Sequence, residues 1–215
     1  TAGFGTNAMV LVYTAAGDQV KPARPYVQCL AHSNDGRRFA KYDGNPVLPC
    51  VAGGGNRDPR VFWHAPTGRW VMALYGQREG RHAVLVFTSP DLKAWTEESA
   101  YLGDEVGNGT WLYECPGLEE LRVQGDSETA WVVWGAGDRY AVGSFDGRRF
   151  TPKEERISGF AYAEGESPFY AAQTYSDVPD GRVIWVPWFR LPARAGASFR
   201  HAFGIPQELS LRHTA

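Results

Sequence analysis

The chain has 215 residues, with 22 basic and 24 acidic side chains giving a formal charge of -2, and it is 43% apolar and 13% aromatic. That is enough apolar material for one large core or two small ones, and it excludes a disordered chain. The basic residues occur singly or in pairs with no stripe that could follow a phosphate backbone. The longest apolar runs, Ala8 to Tyr13 and Ala130 to Trp134, fall far short of the roughly 20 residues of a membrane span. Neither nucleic acid nor a membrane is expected as a partner, and no secretory leader is legible.

In chain order the apolar runs read as strands. "AMVLVYT" (8–14), "YVQCLAHS" (26–33), "RVFWHAP" (60–66), "RWVMALYG" (69–76), "HAVLVFTS" (82–89), "TAWVVWGAG" (129–137), "YAVGSF" (140–145) and "RVIWVPWF" (182–189) are rich in Val, Tyr, Phe and Trp and are bounded by turn residues. No window holds a helical apolar stripe for three turns, and Gly and Pro are spread along the whole chain. "PTG" (66–68) and "PDG" (179–181) sit between strand pairs and predict hairpins.

A repeat organises these strands. "SNDGRRF" (33–39), "SPDLKAW" (89–95) and "SFDGRRF" (144–150) share Ser, then Asp two residues on, then an aromatic four residues after that. Asp35, Asp91 and Asp146 are 56 and 55 residues apart, each after a strand and before a short one. Asp there can accept hydrogen bonds from the amides that follow it, with the aromatic plugging the space between layers. Three or four antiparallel strands repeating every 55 residues are the pattern of a β-propeller, with a β-sandwich as the alternative architecture.

The same period relates two carboxylates. Asp58, in "GGGNRDPRVFWH" (53–64), and Glu114, in "YECPGLEEL" (113–121), are 56 residues apart. Each is close to a Pro, which cannot extend a ladder and marks a strand start. The first strand of a propeller blade is innermost, so both should face one axial pocket, in blades that end near Trp95 and Phe150. Convergent carboxylates in a partly dry cleft push one proton affinity up, the arrangement glycoside hydrolysis needs. The bland alternative for Asp58 is an ion pair with Arg57 or Arg60.

The three cysteines, Cys29, Cys50 and Cys115, cannot all pair within the chain and lack zinc or redox spacing. The histidines, His32, His64, His82, His201 and His213, form no ligand-spaced pair and are assigned surface or turn positions. No metal or other cofactor is expected.

"NRDPRVFWH" and "YECPGLEEL" resemble the Arg-Asp-Pro and Glu-Cys-Pro motifs of glycoside hydrolase family 32, the invertases, levanases and inulinases that cleave β-fructosides. Five further segments, 30–48, 86–99, 140–150, 169–182 and 204–211, fall in the family's order, and 1–17 resembles the stretch after its first blade. The resemblance implies a five-bladed propeller, incomplete here with about four blades, and a retaining mechanism. It makes residues 1–215 a single propeller fragment of the catalytic domain, without the first blade and the C-terminal β-sandwich. It implies Glu114 as general acid and base, and Asp58 as the stabiliser that holds fructose hydroxyls. Arg57, Cys115 and Trp188 are implied as substrate-binding residues, with Arg57 donating to the sugar or holding a carboxylate, Cys115 tuning the surroundings of Glu114, and core packing as the alternative for Trp188.

The implied substrate is sucrose or a fructan, and the implied location is secreted or periplasmic. A missing segment or a second chain is expected to close the ring. There are departures. The family's nucleophile motif, Trp-Met-Asn-Asp-Pro-Asn-Gly, does not occur in these 215 residues. Gly117 stands where Asp is common, and Pro168 stands where an acidic residue is usual, with Glu164 and Glu166 near it. A sugar-binding propeller without catalysis, or a five-bladed arabinan or xylan hydrolase, are the alternative functions.

Overall fold

The computed structural model describes residues 3–103, 106–137, 139–158, 169–191 and 195–213. Four antiparallel sheets follow one another along the chain. The first contains β1 (Met9–Ala15), β2 (Val27–Ser33) and β3 (Ala40–Lys41). The second runs in order through β4 (Gly53–His64), β5 (Arg69–Arg78), β6 (Arg81–Ser89) and β7 (Thr96–Tyr101). The third is β8 (Gly117–Arg122), β9 (Thr129–Trp134), β10 (Arg139–Phe145) and β11 (Phe150–Ser158). In the fourth, β12 (Phe169–Thr174) pairs with β13 (Val183–Phe189), whose other edge takes both β14 (Ala202–Phe203) and β15 (Gln207–Leu209).

These are four blades of a β-propeller, each a meander with its first strand at one edge. The second and third blades reach Tyr101 and Ser158, beyond the expected ends at Trp95 and Phe150, and β11 has nine residues where a short strand was expected. Among the described residues three 3-10 turns interrupt the β structure, at Gly17–Gln19, Ala65–Thr67 and Val106–Leu112. No helix among the described residues is long and apolar enough to cross a membrane.

The second blade shows why "RWVMALYG" and "HAVLVFTS" are continuous apolar runs rather than alternating ones. Val71, Ala73, Val84 and Val86 pack toward the third blade with Leu118, Val133, Phe145 and Phe150. Met72, Leu74, Ala83, Leu85 and Phe87 fill the opposite face with Leu48 and Val12 of the first. A sheet buried on both faces has no polar side to write into its sequence. Between the third and fourth blades, Leu121, Val132 and Trp134 meet Ala172 and Trp185.

The repeated turns form as expected. Asp35 accepts from the amides of Arg37 and Arg38, Asp91 from Lys93 and Ala94, and Asp146 from Arg148 and Arg149, at 2.7–3.0 Å. Those amides hold all three carboxyls below their ordinary range. The aromatics are less uniform. Phe150 is buried and Trp95 packs against the core, but Phe39 is 37% exposed.

The hairpin at 66–68 closes through Gly68, whose φ of 61° is the left-handed conformation a side chain resists. His64 is buried and bonds Thr67 across that turn at 2.8 Å. His32 and His82 are half-buried strand residues rather than turn or fully exposed ones, because β2 and β6 face neighbouring layers, and Nδ1 of His82 is 2.7 Å from the hydroxyl of Tyr75. Cys29, Cys50 and Cys115 are free thiols.

Candidate active site

The site begins with a break in β4. Between the Arg57–Tyr75 and Arg60–Ala73 pairs the strand carries one residue more than its partner, and a second irregularity lies between Gly53 and Arg57. Gly53 to Gly55 and Pro59 account for this, since Gly adopts unusual conformations and Pro cannot donate to the ladder. Pro59 therefore lies inside β4 at a bulge, on an edge strand, instead of marking a strand start. Asp58 takes the extra place with φ 61°, and its amide is satisfied by Oγ1 of Thr14 in the first blade at 3.0 Å. A bulge re-aims a side chain, and here it turns the carboxylate toward the third blade.

Glu114 arrives differently. It follows the 3-10 segment Val106–Leu112 and precedes β8, so it is not a strand residue; Pro116 does mark the start of that strand. Glu114 and Cys115 both have φ 46°. Left-handed conformations in residues with a Cβ cost about 1 kcal/mol or more each and need surrounding structure to hold them. The payoff is directional: the Cys115 amide donates to Oδ2 of Asp58 at 3.0 Å, with its Sγ 3.5 Å from the same oxygen. Cys115 was expected to serve Glu114, but its thiol and amide face Asp58. Burial, and then the charges of Asp58 and Glu114, push the thiol well above its ordinary range, so it stays protonated.

Arg57 stands between the two carboxylates. Its Nε and a terminal nitrogen both lie 3.1 Å from Oε2 of Glu114, and Nε is 3.8 Å from Oδ2 of Asp58. The expected alternative, an ion pair of Asp58 with Arg57, is thus present within the site, whereas Arg60 pairs with Glu119. The guanidinium packs 4.5 Å from the ring centroid of Tyr75 and 5.2 Å from that of Tyr113. Burial works against its charge, but Glu114 outweighs that and holds Arg57 above its ordinary range. His82 supports Tyr75 from behind and is itself kept below its ordinary range by burial and by Arg57.

Three tyrosines in contact with this cluster were not singled out from sequence: Tyr75, Tyr113 and Tyr170. The last had a signal. Tyr170 lies 56 residues after Glu114, as Glu114 lies 56 after Asp58, and its hydroxyl donates to Oε1 of Glu114 at 2.6 Å. Burial and that bond raise the phenol's proton affinity, so it remains a donor. Next to it Ala171 has φ 49° at another register shift, with its amide bonded to the carbonyl of Ala136. A kink of the same kind therefore recurs in three successive inner segments.

Trp188 comes within 6.0 Å of the Tyr170 ring and 5.0 Å of the His201 ring, and is 39% exposed. Its ring contact with Tyr170 links it to Glu114, which that tyrosine bonds. A cleft of about 220 Å³ beside the site is lined by Thr110, Trp111, Tyr113, Gly137, Arg139 and Tyr170. Gly117 is also explained: a Cβ there would lie 1.9 Å from the ring of Trp134, so the indole occupies the space a side chain would need. Glu164, Glu166 and Pro168 lie outside the described residues.

A β-propeller whose inner segments bring an aspartate, a glutamate and an arginine together has the make-up of a glycosidase domain. Residues 2–215 match the N-terminal domain of the glycosyl hydrolases family 32, and the chain belongs to that family. It is 36% identical over 236 aligned residues to a levanase of Bacillus subtilis (strain 168), covering 99% of this chain and 33% of the relative. It is 34% identical over 208 residues to an extracellular exo-inulinase of Meyerozyma guilliermondii, covering 87% and 37%.

Among solved structures, the β-fructofuranosidase of Schwanniomyces occidentalis complexed with fructosyl-erythritol superposes with a TM-score of 0.79 at 28% identity. It covers all of this chain and 43% of that one. The chain thus spans between a third and a half of the length of these relatives.

Proposed function

We propose that this chain carries the acid/base and stabilising groups for hydrolysis of β-fructosidic bonds in sucrose or fructans, with retention of configuration. The observation that carries the reading is the convergence of Asp58 and Glu114 on Arg57, within a family 32 domain. Glu114 protonates the leaving oxygen and then takes a proton from the attacking water. Asp58, fixed by the Cys115 amide, accepts from fructose hydroxyls and stabilises the positive charge that develops on the ring. Arg57 and Tyr170 hold Glu114 in one orientation, and Trp188 forms the outer wall of the sugar site. Relatives named as a levanase, an exo-inulinase and a β-fructofuranosidase with a bound fructosyl ligand support fructosides over other glycosides. Relatives named as extracellular support secretion.

The test is release of reducing sugar from sucrose, inulin and levan by the protein and by Glu114→Gln. A fall of about 10²–10⁴-fold in kcat is expected for loss of a general acid and base; unchanged turnover in the variant would refute the assignment. A second reading is a fructan-binding propeller. Its support is the cleft of about 220 Å³ lined by Trp111, Tyr113 and Tyr170, whose aromatic rings could hold a sugar face without turnover. Calorimetry with fructo-oligosaccharides showing binding without turnover would select it.

A further inference from the structure

We propose that Arg60, Glu119 and Thr174 form a clasp that positions the site, acting through Asp58, Glu114 and Tyr170 and touching no substrate. The inference rests on the fructosidase reading above. The three residues lie on β4, β8 and β12, the first strands of three successive blades. Each follows a site residue along the same segment: Arg60 two after Asp58, Glu119 five after Glu114, Thr174 four after Tyr170. Arg60 meets Oε1 of Glu119 at 2.5 Å, and the Thr174 hydroxyl donates to that oxygen at 2.5 Å. Another Arg60 nitrogen reaches Oγ of Ser176 at 3.1 Å and the Thr174 carbonyl at 3.5 Å. The Arg60 and Glu119 side chains are only 10% and 12% exposed.

The site above this clasp needs such a tether. Each of its three segments is interrupted by left-handed residues, at Asp58, at Glu114 with Cys115, and at Ala171. The ladder is broken at Asp58 and beside Tyr170, so backbone pairing there does not hold the side chains in place. The clasp is a polar connection that spans all three strands beyond the breaks. Its oxygen-centred geometry sets the spacing between strands to within a hydrogen bond's tolerance. Misplacement of reacting groups by about 1 Å can cost on the order of 100-fold in rate.

The experiment replaces the polar pair by an apolar one, Arg60→Met with Glu119→Leu. Such swaps of buried ion pairs are often neutral for stability, so folding and positioning are separated. Melting temperature, kcat and KM on sucrose are measured beside wild type and Glu114→Gln. The expected result is a melting temperature near wild type and a kcat lower by about tenfold or more, with KM within about threefold. Glu119→Gln, which can still accept from Arg60 and Thr174, should recover most of the loss. A folded double variant with wild-type kcat overturns the inference while leaving the fructosidase reading intact if Glu114→Gln is inactive.

If the double variant does not fold, Thr174→Val tests the clasp alone. A kcat lower by about threefold or more at unchanged melting temperature supports it, and wild-type kcat overturns it. If wild type binds without turnover, the same comparison is made on its dissociation constant for 1-kestose, with an expected weakening of about tenfold. If it neither binds nor turns over, both readings fall, whereas an active Glu114→Gln removes the fructosidase reading first.

Discussion

Tyr170 donates a 2.6 Å hydrogen bond to Glu114 from a place 56 residues later in the chain, the same interval that separates Glu114 from Asp58. Each of the three supplies one side chain to the site from the inner segment of its own blade. The bond also fixes which face of the Glu114 carboxylate is left for a substrate, because Arg57 already holds the other oxygen.

Tyr170→Phe should keep the ring's packing on Trp188 and Arg190 and lose only the hydroxyl. A single hydrogen bond to a charged group contributes about 1.5–3 kcal/mol. If half or more of that is felt in the transition state, kcat on sucrose falls by about 4- to 160-fold. Steady-state kinetics at matched folded fraction checks this, and a kcat equal to wild type would remove Tyr170 from the site.

Arg57→Lys keeps one positive charge but not the fork that serves two carboxylates or the flat face between Tyr75 and Tyr113. Loss of about 10–100-fold in kcat/KM is expected, and Arg57→Ala should lose more. If lysine restores full kcat/KM, the geometry of the fork is irrelevant and charge alone suffices.

Cys115 makes a prediction about pH. Its proton affinity is raised in the folded protein, so the stability it contributes is complete below the unfolded thiol's value of about 8.5 and is lost as pH climbs above it. Tyr170, also raised, acts in the same sense at higher pH, from about 10 upward. Denaturation midpoints should therefore decline on the alkaline side, less steeply in Cys115→Ala. Iodoacetamide at pH 8.5 should label the exposed Cys50 first, with Cys115 slow until the protein unfolds; mass spectrometry of the labelled peptides reads the order directly.

Gly117→Asp introduces a side chain where Trp134 already lies. Overpacking of this kind costs about 1–3 kcal/mol. The melting temperature should fall, and with Trp134→Ala in the same chain, itself costly because the indole is buried, the combined loss should be smaller than the sum of the two single losses because the clash is gone. Additive losses in the double variant would show that the indole is not what excludes the side chain.

The repeat was legible because its chemistry is local: an aspartate bonding the amides two and three residues ahead needs no distant partner, so it leaves a trace at fixed spacing. That period carried Asp58 and Glu114 to matching places, and it extends to Tyr170, which escaped notice because a tyrosine in "FYAAQT" looks like any strand aromatic. Tyr75 and His82 were hidden for another reason. β5 and β6 are apolar on both faces, and which of their residues meets Arg57 depends on a bulge in β4 that adjusts its register. The mid-strand place of Pro59 and the side of Cys115 that faces Asp58 follow from the same break. Phe39 was misjudged because the turn motif describes the backbone, while burial depends on what lies across from the ring.

The left-handed residues at 58, 114 to 115 and 171 have one more consequence. Backbone shape, more than side-chain identity, aims these segments at the axis, so the propeller works as a rack of equivalent sockets. An aspartate fills one, a glutamate the next and a tyrosine the third. Chemistry in such a ring can change by exchanging what a socket holds, without refolding the blade that presents it.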